Sequence, residues 1–185
     1  FRRAPEAGDD EVMQVLIDPG AHVDLPLADG TTPMLAALMP SSSRAPNKTE
    51  AQALAAIRLL KAAGADPKAA LTRSSTALHL IHSHGMNEAR VRGSTALMMA
   101  TVQSWTEVMK QLVEWGVDVN ARDADGLTAI DYAMGRARVG FLQLRPPPKE
   151  DMAALLRTLG ATVENPDTPP WKPLSVPAVT AVVPD

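Results

Sequence analysis

The chain has no cysteine among its 185 residues, which excludes disulfides and thiolate metal sites and leaves the compartment open. Aromatic residues make up only 3%. Its apolar side chains are dominated by Ala and Leu, a composition suited to short helices packed closely together. No apolar run approaches the ~18 residues of a membrane span. Neither sign of charge prevails: 18 basic residues stand against 21 acidic ones, for a net charge of -3. That balance gives no basic stripe of the kind nucleic-acid binders carry. Phosphate-cradling loops, nucleophile elbows and zinc-protease helices are also missing. The composition and motifs therefore favour neither an enzyme nor a cofactor.

What is present is a phrase repeated imperfectly. Its cleanest copy begins Gly93-Ser94-Thr95-Ala96-Leu97, runs on through Val108, Leu112 and Val113, and closes Gly116-Val117-Asp118-Val119-Asn120-Ala121. A new copy follows at once, Asp123-Ala124-Asp125-Gly126-Leu127-Thr128-Ala129-Ile130, and Gly126 lies 33 residues after Gly93. A period of that size marks a stack of small supersecondary units, each unable to bury its apolar face alone. Within a unit, Thr caps a first helix, and a Pro in its first turn forfeits no hydrogen bond. The closing Gly supplies the left-handed residue that ends a second helix.

Further copies are less regular. A partial unit covers residues 1–24, with Asp9 capping a helix from Asp10 to Ile17 and with Pro5 and Pro19 as faults. The second opens Asp29-Gly30-Thr31-Thr32-Pro33-Met34-Leu35 and carries an insertion near 39–48. Its second helix is expected from Thr49 to Ala63, with Ala55, Ile57, Leu59 and Leu60 facing the core. A third begins Ser75-Thr76-Ala77-Leu78-His79-Leu80, but Gly93 follows Ser75 by only 18 residues. That is too short for a full second helix, so a gap in the outer helical layer is expected there. The fifth has its first helix from Thr128 to Met134, an insertion at 136–148, and its second helix from Glu150 to Leu159. Beyond it, residues 165–185 are rich in Pro and read as an extended tail.

These residues resemble ankyrin repeats. The stretches Asp131-Tyr132-Ala133-Met134-Gly135-Arg136 and Leu155-Leu156-Arg157-Thr158-Leu159-Gly160, with the Pro-Trp-Pro-like tail, resemble a bacterial subgroup of that family, as a C-terminal fragment. Export to the periplasm or cell exterior is what that subgroup resemblance implies. The fold implied is an all-α ankyrin-repeat solenoid over residues 1–164, about four to five helix-turn-helix units by the period, with β-turn fingers along one edge and irregular first and third repeats. The function implied is a non-catalytic scaffold binding an unidentified protein through the concave face and fingers. The alternatives are an accessory arm or spacer of a larger protein and, less favoured, a metal-dependent site. A monomer is expected, with no nucleic acid, membrane span, metal or cofactor. Alignment to the repeat marks Thr31, Ser83, His84, Arg92, Ser94, Val102, Gln103, Asp125, Leu127 and Arg136 as variable surface positions and candidate contacts.

The metal reading would rest on His79, His82 and His84. His79 occupies the position that the repeat usually fills with His. On a helix, positions 79 and 82 share a face while 84 turns away, so the three do not converge. Asp24, Asp66 and Asp118 recur at equivalent positions, which argues for turns and not catalysis. Met98, Met99, Met109 and Met134 read as core. Trp105 and Trp115 read as packing under turns, with an interface anchor as the alternative. The insertion with Arg136, Arg138, Arg145 and Lys149 around Phe141 reads equally as a docking loop for an acidic partner or as a cap on the array.

Overall fold

The computed structural model describes residues 23–27, 30–39, 48–72, 92–137 and 146–165. Among these there are six helices and no named strand: α1 (Pro33–Leu38), α2 (Glu50–Ala62), α3 (Ala96–Gln103), α4 (Thr106–Glu114), α5 (Ala129–Ala133) and α6 (Glu150–Thr158). They pair as the hairpins α1–α2, α3–α4 and α5–α6. The first helices form an inner layer in which α3 touches both α1 and α5, and α2 packs on α4 in the outer layer.

Local chemistry explains the starts of α1, α2 and α3. The Thr32 hydroxyl accepts the Leu35 amide with Pro33 in the first turn. Thr49 and Gln52 cap each other's backbone amides at 3.3 and 2.9 Å. Thr95 accepts from the Met98 amide. The ends are equally uniform. Ala65, Val117 and Ala161 amides donate back to Leu60, Leu112 and Leu156 carbonyls, with Gly64, Gly116 and Gly160 at φ of 98°, 79° and 101°. A side chain at those angles is strained, so only glycine closes the helix cheaply. As the recurrence implied, Asp66 and Asp118 are turn residues: each carboxylate accepts the amide two residues on, from Lys68 and Asn120, at 2.9 Å.

The core is aliphatic. Leu35, Leu38, Ile57, Leu60, Leu97, Met98, Met109, Leu112, Ile130 and Leu156 are fully enclosed. Met99 is buried with Met98 and Met109, while Met134 is partly buried against the same cluster. Trp105 is buried, and Trp115 packs partly buried against the core. In α2 the buried positions are Ala53, Ala56, Ile57 and Leu60, whereas the expected Ala55 is half-buried and Leu59 packs at the margin. The buried face of the helix is thus rotated slightly from the expected one.

The largest departure concerns the third copy. The helices on either side of it are direct neighbours, α1 against α3 and α2 against α4. An interposed helical layer would hold them apart by roughly two interaxial spacings, each of about 8–10 Å. No gap separates α2 from α4, where one was expected. The backbone agrees: Leu71 donates to Ser94 (3.0 Å), Gly93 donates to Leu71 (2.7 Å), and Ala70 bridges Thr95 in antiparallel fashion. Residues 73–91 themselves lie outside the described residues, as do the partial first unit up to residue 22, residues 40–47 and 138–145, and the tail from residue 166.

The finger edge is built three times on one plan. Leu27, Leu71 and Asp123 donate their amides to Thr31, Ser94 and Leu127, and Gly30, Gly93 and Gly126 donate back to Leu27, Leu71 and Asp123. Neighbouring fingers touch at these glycines. A Cβ on Gly30 would stand 2.6 Å from the Thr72 amide nitrogen, and one on Gly93 would stand 3.0 Å from the Asp123 Cα.

Candidate functional site

The expected contact positions separate into three groups. Arg92 and Asp125 are exposed near the tips of adjacent fingers, and Gln103 is half-buried at the end of α3. The two fingers are tied by the Ala124 amide, which donates to the Arg92 carbonyl at 2.8 Å. Ser83 and His84 lie outside the described residues, with His79 and His82. The remaining five are built into the stack, and the surface reading is corrected for them.

Thr31 is 3% exposed and Leu127 5%; both are enclosed in their fingers, where the backbone pairing places them. Val102 is buried, and its carbonyl receives the Lys149 ammonium at 2.5 Å. Ser94 is fully buried, and its hydroxyl meets that of Tyr132, with 3.2 Å between the two oxygens. Tyr132 Oη donates to Asp123 Oδ2 at 2.7 Å. Its only proton is committed there, so Ser94 Oγ is the donor to Tyr132. The result is a closed chain, Ser94 to Tyr132 to Asp123, joining the second finger to the third through α5. Burial pushes the Asp123 carboxyl above its ordinary range, outweighing the hydrogen bonds from Tyr132 and from the Leu127 and Asp125 amides. Burial, together with the Asp123 charge, also raises Tyr132 well above the usual phenol value.

Arg136 belongs to a second polar group at the C-terminal end of the stack. Its Nη1 donates to Asp131 at 2.7 Å and to Glu164 at 3.1 Å. Arg157 donates to the other Glu164 oxygen at 2.6 Å. Asp131 is wholly buried and also accepts the Thr128 amide (2.9 Å) and the Asn165 amide (2.9 and 3.1 Å). Burial alone would raise its pKa, but these hydrogen bonds together with Arg136 hold it below the ordinary carboxylate value. Glu164 is lowered too, chiefly by Arg157. Arg136 therefore anchors the segment 163–165 over α5 and is not a docking charge.

Three contributors carry no repeat signature. Lys48 is buried and donates to the carbonyls of Ala36, Ala37 and Met39 at 3.4, 2.8 and 3.3 Å, closing the C-terminal end of α1. Lys149 reaches Val102 O and Ser104 Oγ (2.8 Å) at the end of α3. Burial lowers the Lys149 pKa. Each lysine ends an insertion, and each answers the unpaired carbonyls and negative pole of a helix. A lysine just ahead of an acidic first turn (Lys48-Thr49-Glu50, Lys149-Glu150) is the sequence signal by which they could have been found. The third is Glu50, whose carboxylate accepts the Glu107 and Val108 amides at 2.6 and 3.3 Å. It thereby caps α4 from another hairpin, where Trp105 supplies no side-chain cap. Of the basic insertion, then, Arg136 and Lys149 are internal ties, while Arg138 and Arg145 lie outside the described residues.

Among the described residues, no group of three or more His, Cys, Asp or Glu stands together as a metal would require. None of their helices is long and apolar enough to cross a membrane.

A family model described as ankyrin repeats (3 copies) matches residues 50–144, more than half of the chain. Proteins of this kind generally mediate protein–protein interaction and are typically interaction modules without enzymatic activity. The match covers α2 to α5, with the closing Gly64 and Gly116 and the fingers of Gly93 and Gly126, and the chain belongs to the ankyrin-repeat family.

Proposed function

We propose that this chain is a non-catalytic recognition scaffold that binds a protein partner across its concave face and finger edge, with Arg92, Gln103 and Asp125 as contacts. What supports this reading is the way the two fingers are held. The Ala124–Arg92 backbone bond and the carboxylate of Asp123, which accepts the Asp125 and Leu127 amides at 2.9 Å each, fix the loops that carry Arg92 and Asp125. Preorganised contact groups lose little freedom on binding, and so more of their interaction energy appears as affinity.

The experiment uses the whole chain as bait. Proteins retained from a lysate are identified, and the tightest is titrated against Arg92→Ala, Gln103→Ala and Asp125→Ala. Contact residues at an interface weaken binding by about 1 kcal/mol or more each, roughly fivefold in Kd. Unchanged affinity in all three variants removes this surface from consideration.

A further inference from the structure

Among the described residues, every positive φ but one belongs to a glycine, and the exception is Ser104, at φ 62° and ψ 35°. A glycine would turn the chain from α3 to α4 without strain, whereas a serine does so at a steric cost. Strain of that kind points to a role for the side chain. Ser104 is exposed, and its Oγ meets Lys149 Nζ at 2.8 Å. The lysine comes from the start of α6 in the following hairpin, and its second partner is the Val102 carbonyl at 2.5 Å.

We infer that Ser104 and Lys149 form a nucleophile–base pair, and that Ser104 is a site of covalent acylation by an activated ester. The geometry serves both protonation states of the lysine. As an ammonium, Nζ donates to Val102 O and to Ser104 Oγ. As a free amine it keeps one N–H on Val102 O and turns its lone pair to the serine proton. Burial moves Lys149 toward the free amine and outweighs the opposing pull of Asp151 in the first turn of α6. The carbonyl pole of α3 also favours the ammonium. Glu150 is exposed to water, while the carboxylates on the other helices are engaged: Glu50 of α2 by the α4 amides, and Glu107 of α4 by Lys110 at 2.7 Å.

In the reaction, Ser104 Oγ bonds to the acyl carbon as its proton passes to Lys149 Nζ. The bond from that carbon to the leaving oxygen then breaks, and the proton leaves the ammonium with the departing group. Few donors stand ready for the negative acyl oxygen. The Ser104 amide bonds Thr101 O at 3.1 Å and the Trp105 amide bonds Ala100 O at 3.0 Å, while Glu50 holds the Glu107 and Val108 amides. Weak stabilisation of that charge confines the reaction to esters with good leaving groups and leaves the new ester in place. The outcome is a modified scaffold, not a turnover cycle.

The test treats the full chain with p-nitrophenyl acetate, follows nitrophenol release, and maps the acetyl group by mass spectrometry. The expected result is a single acetyl on Ser104. Its rate of formation should climb with pH to a plateau whose midpoint lies below the ~10.4 of an unperturbed lysine. Ser104→Gly suits the left-handed turn and should abolish this phase. Lys149→Arg keeps a cation at the end of α3 but cannot take the proton, and should slow the phase by roughly a hundredfold or more. An equal rate in Lys149→Arg would overturn the inference. So would acetyl on lysines with none on Ser104, or labelling of Ser104 no faster than that of the exposed Thr72 and Thr162 hydroxyls.

Discussion

The two junctions in the stack are held by different means. Where α1–α2 meets α3–α4, the polar ties lie toward the outside: Glu50 on the α4 amides and Arg58 on Gln111 at 2.9 Å. Where α3–α4 meets α5–α6, a tie runs through the interior, from Ser94 through Tyr132 to Asp123, while Lys149 on the end of α3 and Asn120 accepting the Thr162 and Val163 amides lie nearer the rim. A buried polar chain is favourable only when every member is satisfied, and one misplaced residue leaves several groups unpaired. Apolar contacts with peripheral ties tolerate displacement better. The interior chain thus fixes the alignment of the second junction, while the first relies on apolar packing, finger pairing and ties at its rim.

The sharpest way to break the second side of this contrast is at its far end. Asp131→Ala would leave the Thr128 and Asn165 amides and the Arg136 guanidinium without their shared acceptor. Breaking a buried pair of this kind costs about 3–5 kcal/mol. Chemical denaturation should show that loss, and a cost below about 1 kcal/mol would mean the group is no anchor. Acid should act in the same direction on the wild type. Asp131 is lowered in the fold, so its contribution is complete above its unfolded pKa and is lost as pH falls through the folded value. Asp123 is raised, so its contribution is complete below its unfolded pKa and is lost as pH rises through the folded value. The two oppose each other on acidification. Asp123→Asn removes the compensating one, and the denaturation midpoint should then fall more steeply between about pH 5 and pH 2. An unaltered slope would show that Asp123 titrates as it does in the unfolded chain.

The next effect in size is at the interior chain itself. Tyr132→Phe removes the proton that Asp123 accepts and the oxygen that Ser94 reaches, at a cost of about 1–3 kcal/mol. Ser94→Ala removes only a donor, and Tyr132 still bonds Asp123, so its cost should be nearer 1 kcal/mol. A double-mutant cycle on the two tests whether they act as one chain, and additive costs would separate them.

Much of the fold was legible because its signals are local. A Thr ahead of an apolar run, a Gly after one and a period near 33 each report backbone demands that neighbouring residues meet by themselves. α2 and α6 lie within one residue of their expected limits, as does the C-terminal end of α5. The third copy misled because its motif is locally valid: Ser75-Thr76-Ala77-Leu78 satisfies every short-range rule that Ser94-Thr95-Ala96-Leu97 does. What the second copy adds is the close approach of Gly93 to Asp123 across the finger edge, between residues 30 apart, which no periodicity encodes. The contact positions failed for a similar reason. Ser94 and Val102 look like surface residues by register, yet Tyr132 and Lys149 arrive from the following hairpin to cover one and bond the other.

The smallest expected effect tests the first junction. Glu50 sits in the first turn of α2 and already faces favourable polarity there, but its carboxylate also accepts two amides at the start of α4. Glu50→Gln keeps an acceptor oxygen and loses the charge, whereas Glu50→Ala loses both. If the interhelix cap matters, Ala should cost about 1 kcal/mol and Gln about half of that, with the Gln deficit shrinking in high salt. If the residue acts only through the dipole of its own helix, the two variants should fall together, at a few tenths of a kcal/mol. The first outcome would mean that this junction, like the second, is aligned by a directed polar contact, though one placed at the rim. The second would leave apolar packing and the finger pairing to align it.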